Sequence, residues 1–96
     1  MRQLLLIYNP VSGKGSFKET LDLFIKEMQS EGFLVHVHRL TKDDDLAKVL
    51  EKYSAFKIDL IVAAGGDGTI SAVVGGIIYH SLDIPLGILP VGTIND

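Results

Sequence analysis

Two periods of hydrophobicity alternate along the chain. Leu4-Leu5-Leu6-Ile7-Tyr8 is an unbroken apolar run closed by Asn9-Pro10, which predicts a strand buried on both faces. Ser16-Phe17-Lys18-Glu19 has the spacing of a helix capping box. Phe17, Leu21, Phe24, Ile25 and Met28 then recur at helical spacing up to a natural stop at Gly32. From Phe33 to Leu40 the pattern turns to alternation, with Leu34, His36, His38 and Leu40 on one side, which predicts a strand nearer an edge than the first. Thr41-Lys42-Asp43-Asp44 opens a second helix carried by Leu46, Val49, Leu50 and Tyr53. Ile58 to Ala64 reads as a third and deeply buried strand. A third helix starts near Thr69 and runs through Val73, Val74, Ile77 and Ile78, and Leu86-Gly87-Ile88-Leu89 is a fourth strand stopped by Pro90.

Strand and helix thus alternate three times before a last strand. Crossovers of that length join parallel strands and cover them with helices, so the predicted fold is α/β, a Rossmann-like three-layer αβα arrangement around a parallel sheet of about four strands. The 96 residues make a single domain. The chain closes on Gly92-Thr93-Ile94-Asn95-Asp96, a turn-forming cluster. A domain rarely stops inside such a loop, so the expectation is one part of a longer protein.

Composition narrows the function. At 47% hydrophobic and 22% charged the chain can pack a core. Its net charge of −3 gives no electrostatic footprint for nucleic acid and no polybasic segment for anionic lipid. The absence of cysteine removes disulfides, thiolate metal sites and cysteine nucleophiles, and fits a reducing cytosolic setting without establishing it. The apolar start is too short for a secretory signal, and Ile70 to Tyr79 is shorter than the roughly 20 residues of a membrane span.

Candidate chemistry collects after the strands, where open parallel sheets bind ligands. Asn9-Pro10-Val11-Ser12-Gly13-Lys14-Gly15 precedes the first helix, whose N-terminus can receive an anion beside the charge of Lys14. It is not a Walker A loop, because Tyr8 and Gly15 stand where that pattern needs a glycine and a hydroxyl. A glycine turn with a surface lysine is the plain alternative. Gly65-Gly66-Asp67-Gly68-Thr69 joins the third strand to the third helix, and a plain turn would not need its glycines. They suit a backbone nest for polyphosphate, in which Asp67 reaches a metal ion, accepts a proton or orients the loop. The structural alternative is capping of the third helix by Asp67 or Thr69. Val91 to Asp96 reaches the same edge as an ordinary polar turn. Thr41 also lies there, either meeting a nucleotide or capping the second helix.

Other features carry less. His36 and His38 share a strand face with no third ligand evident, so an exposed strand face is preferred to a metal site. Asp43-Asp44-Asp45 lacks a calcium-loop pattern and suits a helix start. Gly75-Gly76 suits close packing or a bend.

Taken together, NPVSGK after the first strand, GGDGT after the third and GTIND after the fourth resemble the catalytic domain of diacylglycerol kinases and their bacterial lipid-kinase relatives. The resemblance covers the whole chain. GGDGT is shared with NAD kinases, but the three motifs together are specific. The resemblance implies the N-terminal domain of the NAD kinase/diacylglycerol kinase-like fold, and transfer of the γ-phosphoryl group of ATP, with Mg²⁺, to a lipid hydroxyl. It implies nucleotide binding by Asn9, Pro10, Ser12, Gly13, Lys14 and Thr41, by the phosphate loop Gly65, Gly66, Asp67, Gly68, Thr69, Ile70 and Ser71, and by Thr93. Asp67 takes the place of the family's key loop aspartate. Ile94 departs from the family, standing where a small residue is usual. The lipid acceptor, and in bacterial relatives the carboxylate proposed as general base, belong to a second, mainly β domain beyond this chain. The resemblance implies a cytoplasmic protein and leaves room for a peripheral contact with the inner face of the membrane. The isolated chain is expected to bind nucleotide weakly and not to turn over. The alternatives are an NAD kinase and a nucleotide-binding module without catalysis.

Overall fold

A strand with an unbroken apolar run is stable only with both faces covered, and β1 (Arg2–Tyr8), whose Leu4–Ile7 are buried, sits accordingly inside a four-stranded parallel sheet of order β2-β1-β3-β4. The structure, a computed structural model, describes residues 1–10 and 17–90. Helix α1 (Phe17–Ser30) leads to β2 (Phe33–Arg39), α2 (Leu46–Lys52) to β3 (Leu60–Gly65), and α3 (Asp67–Tyr79) to β4 (Leu86–Pro90). Leu4, Leu6, Val62 and Ala64 face α1, where Phe17 and Leu21 close over them. Leu5, Ile7, Ile61 and Ala63 face the other way, against Leu50 of α2 and Val73 of α3. The alternation of β1 and β3 therefore feeds two cores, one on each side, and gives the expected three layers.

Local signals set most boundaries. Gly32 ends α1 at φ +92°, a left-handed conformation that favours glycine. Asp59 locks the approach to β3 onto β1: its N–H donates to the Gln3 carbonyl (2.8 Å) and its Oδ2 accepts from the Gln3 N–H (2.8 Å). Close packing of α3 on α2 explains Gly76, where an added Cβ would stand 2.8 Å from Leu50 Cδ1.

Three local expectations are corrected. The second helix does not open at Thr41. Asp45 is its N-cap, with Oδ1 accepting from the Ala47 N–H at 3.0 Å, and Thr41–Asp44 forms a separate turn before it. The third helix starts at Asp67 rather than Thr69, and neither side chain caps it: the N-cap is Gly66, without a side-chain hydrogen bond. The His36 and His38 face of edge strand β2 is half-buried at the two histidines rather than open. Tyr53, in a 3-10 turn (Tyr53–Ala55) after α2, and Phe56 stack against His36, and Tyr53 also meets His38. His36 Nε2 pairs with Gln3 Oε1 at 2.7 Å. Among the described residues no group of three or more His, Cys, Asp or Glu is placed to hold a metal ion, and no helix is long and apolar enough to cross a membrane.

Candidate functional site

From β1 the chain moves outward to β2 in one direction and to β3 and β4 in the other, so the sheet reverses its winding between β1 and β3. The crevice beyond the carboxyl ends of the strands at such a reversal is where open α/β sheets bind ligands. Here the chain ties the two strand ends together. The Asn9 N–H donates to the Ala64 carbonyl (3.1 Å), and Asn9 Nδ2 donates to Thr69 Oγ1 (3.3 Å). Thr69 is 7% exposed, and Gly65 makes that burial sterically feasible, because a Cβ there would stand 2.8 Å from both Cβ and Oγ1 of Thr69. Gly65 is thus a packing glycine.

Gly66 and Gly68 are different. A Cβ on either meets none of the described residues within 4 Å, and neither has a positive φ. Packing among the described residues gives no reason for glycine at these two positions, whereas close approach of a ligand to the backbone does. They flank the start of α3, whose N-cap offers no side-chain acceptor. The first N–H groups of a helix have no partner within it and carry the positive end of its dipole. Helix α2 blunts that end with Asp45, but α3 has no such cap.

A cleft of about 570 Å³ opens against this helix start. That size falls within the roughly 300–1,000 Å³ of small-molecule sites. Asn9 and Pro10 line it from β1, Thr41 and Lys42 from the end of β2, and Gly66, Gly68 and Thr69 from the β3–α3 junction. Among the described residues the charged ones in its lining are Arg39, Lys42 and Asp44, and Arg39 also lines a second cavity on the α1 side of the sheet with Tyr8, Phe17 and Val37. Asp44 is itself held. Its Oδ2 accepts from the Thr41 N–H (2.9 Å) and from His38 Nε2 (3.1 Å). The Thr41 hydrogen bond foremost, and then His38, keep its carboxyl below the ordinary value of 3.8.

The expected residues are thus distributed unevenly. Asn9, Pro10, Thr41, Gly66, Gly68 and Thr69 share the cleft. Asp67 is exposed on the first turn of α3, between the two open glycines. Gly65 is buried behind Thr69, Ile70 packs on the core shared with α2, and Ser71 is exposed, all three outside the cleft lining. Ser12, Gly13, Lys14 and Thr93 lie outside the described residues, as do Ser16 and Ile94. Sequence reasoning passed over Arg39, Lys42 and Asp44. Their signal was position alone, since they follow or end β2 at the same sheet edge as Thr41.

Comparison with known proteins shows the family and the fold. Residues 3–96 match the diacylglycerol kinase catalytic domain family. A diacylglycerol kinase of Bacillus subtilis (strain 168) is 38% identical over all of this chain, which spans 32% of that relative. One from Staphylococcus haemolyticus (strain JCSC1435) is 38% identical over 95% of the chain and 28% of its own length. The crystal structure of a diacylglycerol kinase from Bacillus anthracis str. Sterne superposes with a TM-score of 0.74 at 33% identity, covering 99% of this chain and 35% of that one. The chain therefore spans about a third of the length of these relatives.

Proposed function

The chain belongs to the diacylglycerol kinase catalytic domain family, and from that premise we propose that its cleft binds ATP with Mg²⁺. In a protein of its relatives' full length, the chain supplies the nucleotide half of a lipid kinase. The observation that carries this reading is the uncapped start of α3, flanked by glycines that packing among the described residues does not require and opening into a cleft lined by Asn9, Thr41 and Lys42.

Phosphoryl transfer asks a protein chiefly to position two reactants and to stabilise charge on the moving group. The N–H groups at the start of α3 donate to the phosphate oxygens, and the missing Cβ atoms at Gly66 and Gly68 let the phosphates approach that backbone. Lys42 adds a positive charge to compensate the polyphosphate. Asn9 holds Thr69, and with it the first turn of α3, against the end of β1. By the family resemblance, Ser12, Gly13, Lys14 and Thr93 complete the nucleotide contacts.

The residues present suit a cation carried by the nucleotide. Mg²⁺ takes one or two carboxylates together with substrate phosphates and keeps several waters. Asp67, exposed beside the phosphate-facing backbone, offers one such carboxylate. Bound there, the ion would screen charge between the terminal phosphates. In the reaction, the bond from the γ-phosphorus to the bridging oxygen breaks and releases ADP, a bond to the lipid hydroxyl oxygen forms, and the hydroxyl proton passes to a carboxylate base that the family resemblance assigns outside this chain. The acceptor proposed is diacylglycerol, after the names of the relatives, and its binding groups are assigned outside this chain. Membrane attachment in the full-length protein would then be peripheral.

The test is a titration of the isotopically labelled chain with MgATP, followed by amide resonances. Shifts concentrated at Gly66, Asp67, Gly68 and Thr41, saturating even at millimolar nucleotide, are expected. Absence of any shift at these amides contradicts the reading. Lipid phosphorylation by the 96-residue chain on its own would contradict the division of labour proposed here.

A further inference from the structure

Thr41 lies beyond the last residue of β2 and is not held by the sheet ladder, which reaches only Leu40 through a hydrogen bond from its N–H to the Tyr8 carbonyl (2.8 Å). Thr41 nevertheless forms part of the cleft wall with Lys42 and Asp44. The turn holding it in place is closed twice. The Asp44 N–H donates to the Thr41 carbonyl (3.1 Å), and the Thr41 N–H donates to Asp44 Oδ2 (2.9 Å). That same oxygen receives His38 Nε2 at 3.1 Å, while His38 Nδ1 meets the Tyr53 hydroxyl at 3.3 Å.

The donor count fixes the direction at the carboxylate. An ionised carboxylate only accepts, so Nε2 of His38 carries the hydrogen. The hydroxyl of Tyr53 both donates and accepts, so it partners Nδ1 in either form of the ring. Tyr53 stacks edge-on against His38 with ring planes at 87°. A linkage therefore runs from the end of α2, through His38 in β2, to the turn at the mouth of the cleft.

We propose that Asp44 and His38 are positioning residues for the nucleotide, holding the Thr41–Asp44 turn as one wall of the cleft. The proposal rests on the nucleotide reading given above. It also accounts for a carboxylate in a cleft otherwise suited to anions. Two donors on one oxygen compensate the charge of Asp44 and turn it towards the backbone. A bare carboxylate there would repel polyphosphate.

The experiment measures MgATP affinity of the whole chain and of Asp44→Ala, Asp44→Asn and His38→Phe, with the Thr41 amide resonance as a local reporter. Asp44→Ala removes the acceptor of both hydrogen bonds and is expected to weaken MgATP about tenfold, the size of one lost hydrogen bond to a charged group. Asp44→Asn keeps an acceptor for the Thr41 N–H and is expected to recover most of the affinity and the native Thr41 resonance. His38→Phe is expected to weaken binding in the same direction as Asp44→Ala. Should His38→Phe fail to fold, the Ala and Asn pair decides alone, because the Asp44 side chain is a quarter exposed. Wild-type affinity or tighter in Asp44→Ala overturns the positioning role and leaves the nucleotide reading standing. Equal loss in Asp44→Ala and Asp44→Asn also overturns it, since charge rather than geometry would then be at work. No MgATP perturbation of the wild-type cleft overturns both.

Discussion

Replacing Gly68 by alanine separates what the fold needs from what a ligand needs. Gly68 is the second residue of α3, has no positive φ, and would place its Cβ within 4 Å of none of the described residues. Alanine in a helix is better than glycine by about 0.5–1 kcal/mol, and a position this near the end should realise only the lower figure. For a domain of this size, about 0.5 kcal/mol raises Tm by roughly 2–4 °C. The same methyl group projects where phosphate oxygens are to meet the helix start. Losing one hydrogen bond to a charged group costs about 1.5–3 kcal/mol, or roughly 10- to 100-fold in affinity. The variant should therefore melt higher and bind MgATP more weakly. Gly75→Ala is the matched control. It too meets nothing within 4 Å, but it lies in mid-helix and outside the cleft lining. It should raise Tm by about 4–8 °C and leave binding unchanged. Thermal melts by circular dichroism and nucleotide titrations read both effects. Wild-type MgATP affinity in Gly68→Ala, or equal weakening in Gly75→Ala, would refute the argument from open glycines.

Gly65→Ala should behave oppositely to Gly68→Ala, costing about 1–3 kcal/mol in chemical denaturation because its Cβ collides with Thr69, and shifting the Asn9 side-chain amide resonance as the bond to Thr69 is disturbed. Leu5→Ala, at a side chain only 1% exposed, should cost about 2–5 kcal/mol, read as a lowered denaturant midpoint. The Thr41 turn should fail in acid. Asp44 has its folded pKa depressed below 3.8, chiefly by the Thr41 hydrogen bond and then by His38, so its contribution is present above that value and lost as pH falls through the folded pKa. The Thr41 amide proton shift, followed from pH 6 to about pH 2, should move at the acid end in the wild type and not in Asp44→Asn.

How far the fold could be read ahead depended on whether the deciding contacts were local. The apolar runs of β1 and β3 require two covered faces wherever they sit, and Gly32 stops α1 by its own backbone conformation, so these elements were evident in the chain. The start of α2 was not. Thr41, Asp43, Asp44 and Asp45 are all capping residue types, and only the engagement of Asp44 by His38 and Thr41 leaves Asp45 as the cap. His36 and His38 were misjudged because Tyr53 and Phe56, which cover them, come more than a dozen positions later. In the glycine loop, sequence alone could not tell Gly65, which accommodates Thr69, from Gly66 and Gly68, which accommodate none of the described residues. Strand order joined Asn9, Thr41 and Gly66 into one cleft, and neighbours Arg39, Lys42 and Asp44 became part of it only through that closure.

Paramagnetic broadening by MnATP, used in place of MgATP, tests most directly whether a polyphosphate docks on the start of α3. The amides of Gly66, Asp67 and Gly68 should broaden first, Thr41 next, and Gly32, at the opposite edge of the sheet, not at all. Broadening centred on the Gly32 edge, or spread evenly over the chain, would contradict the account.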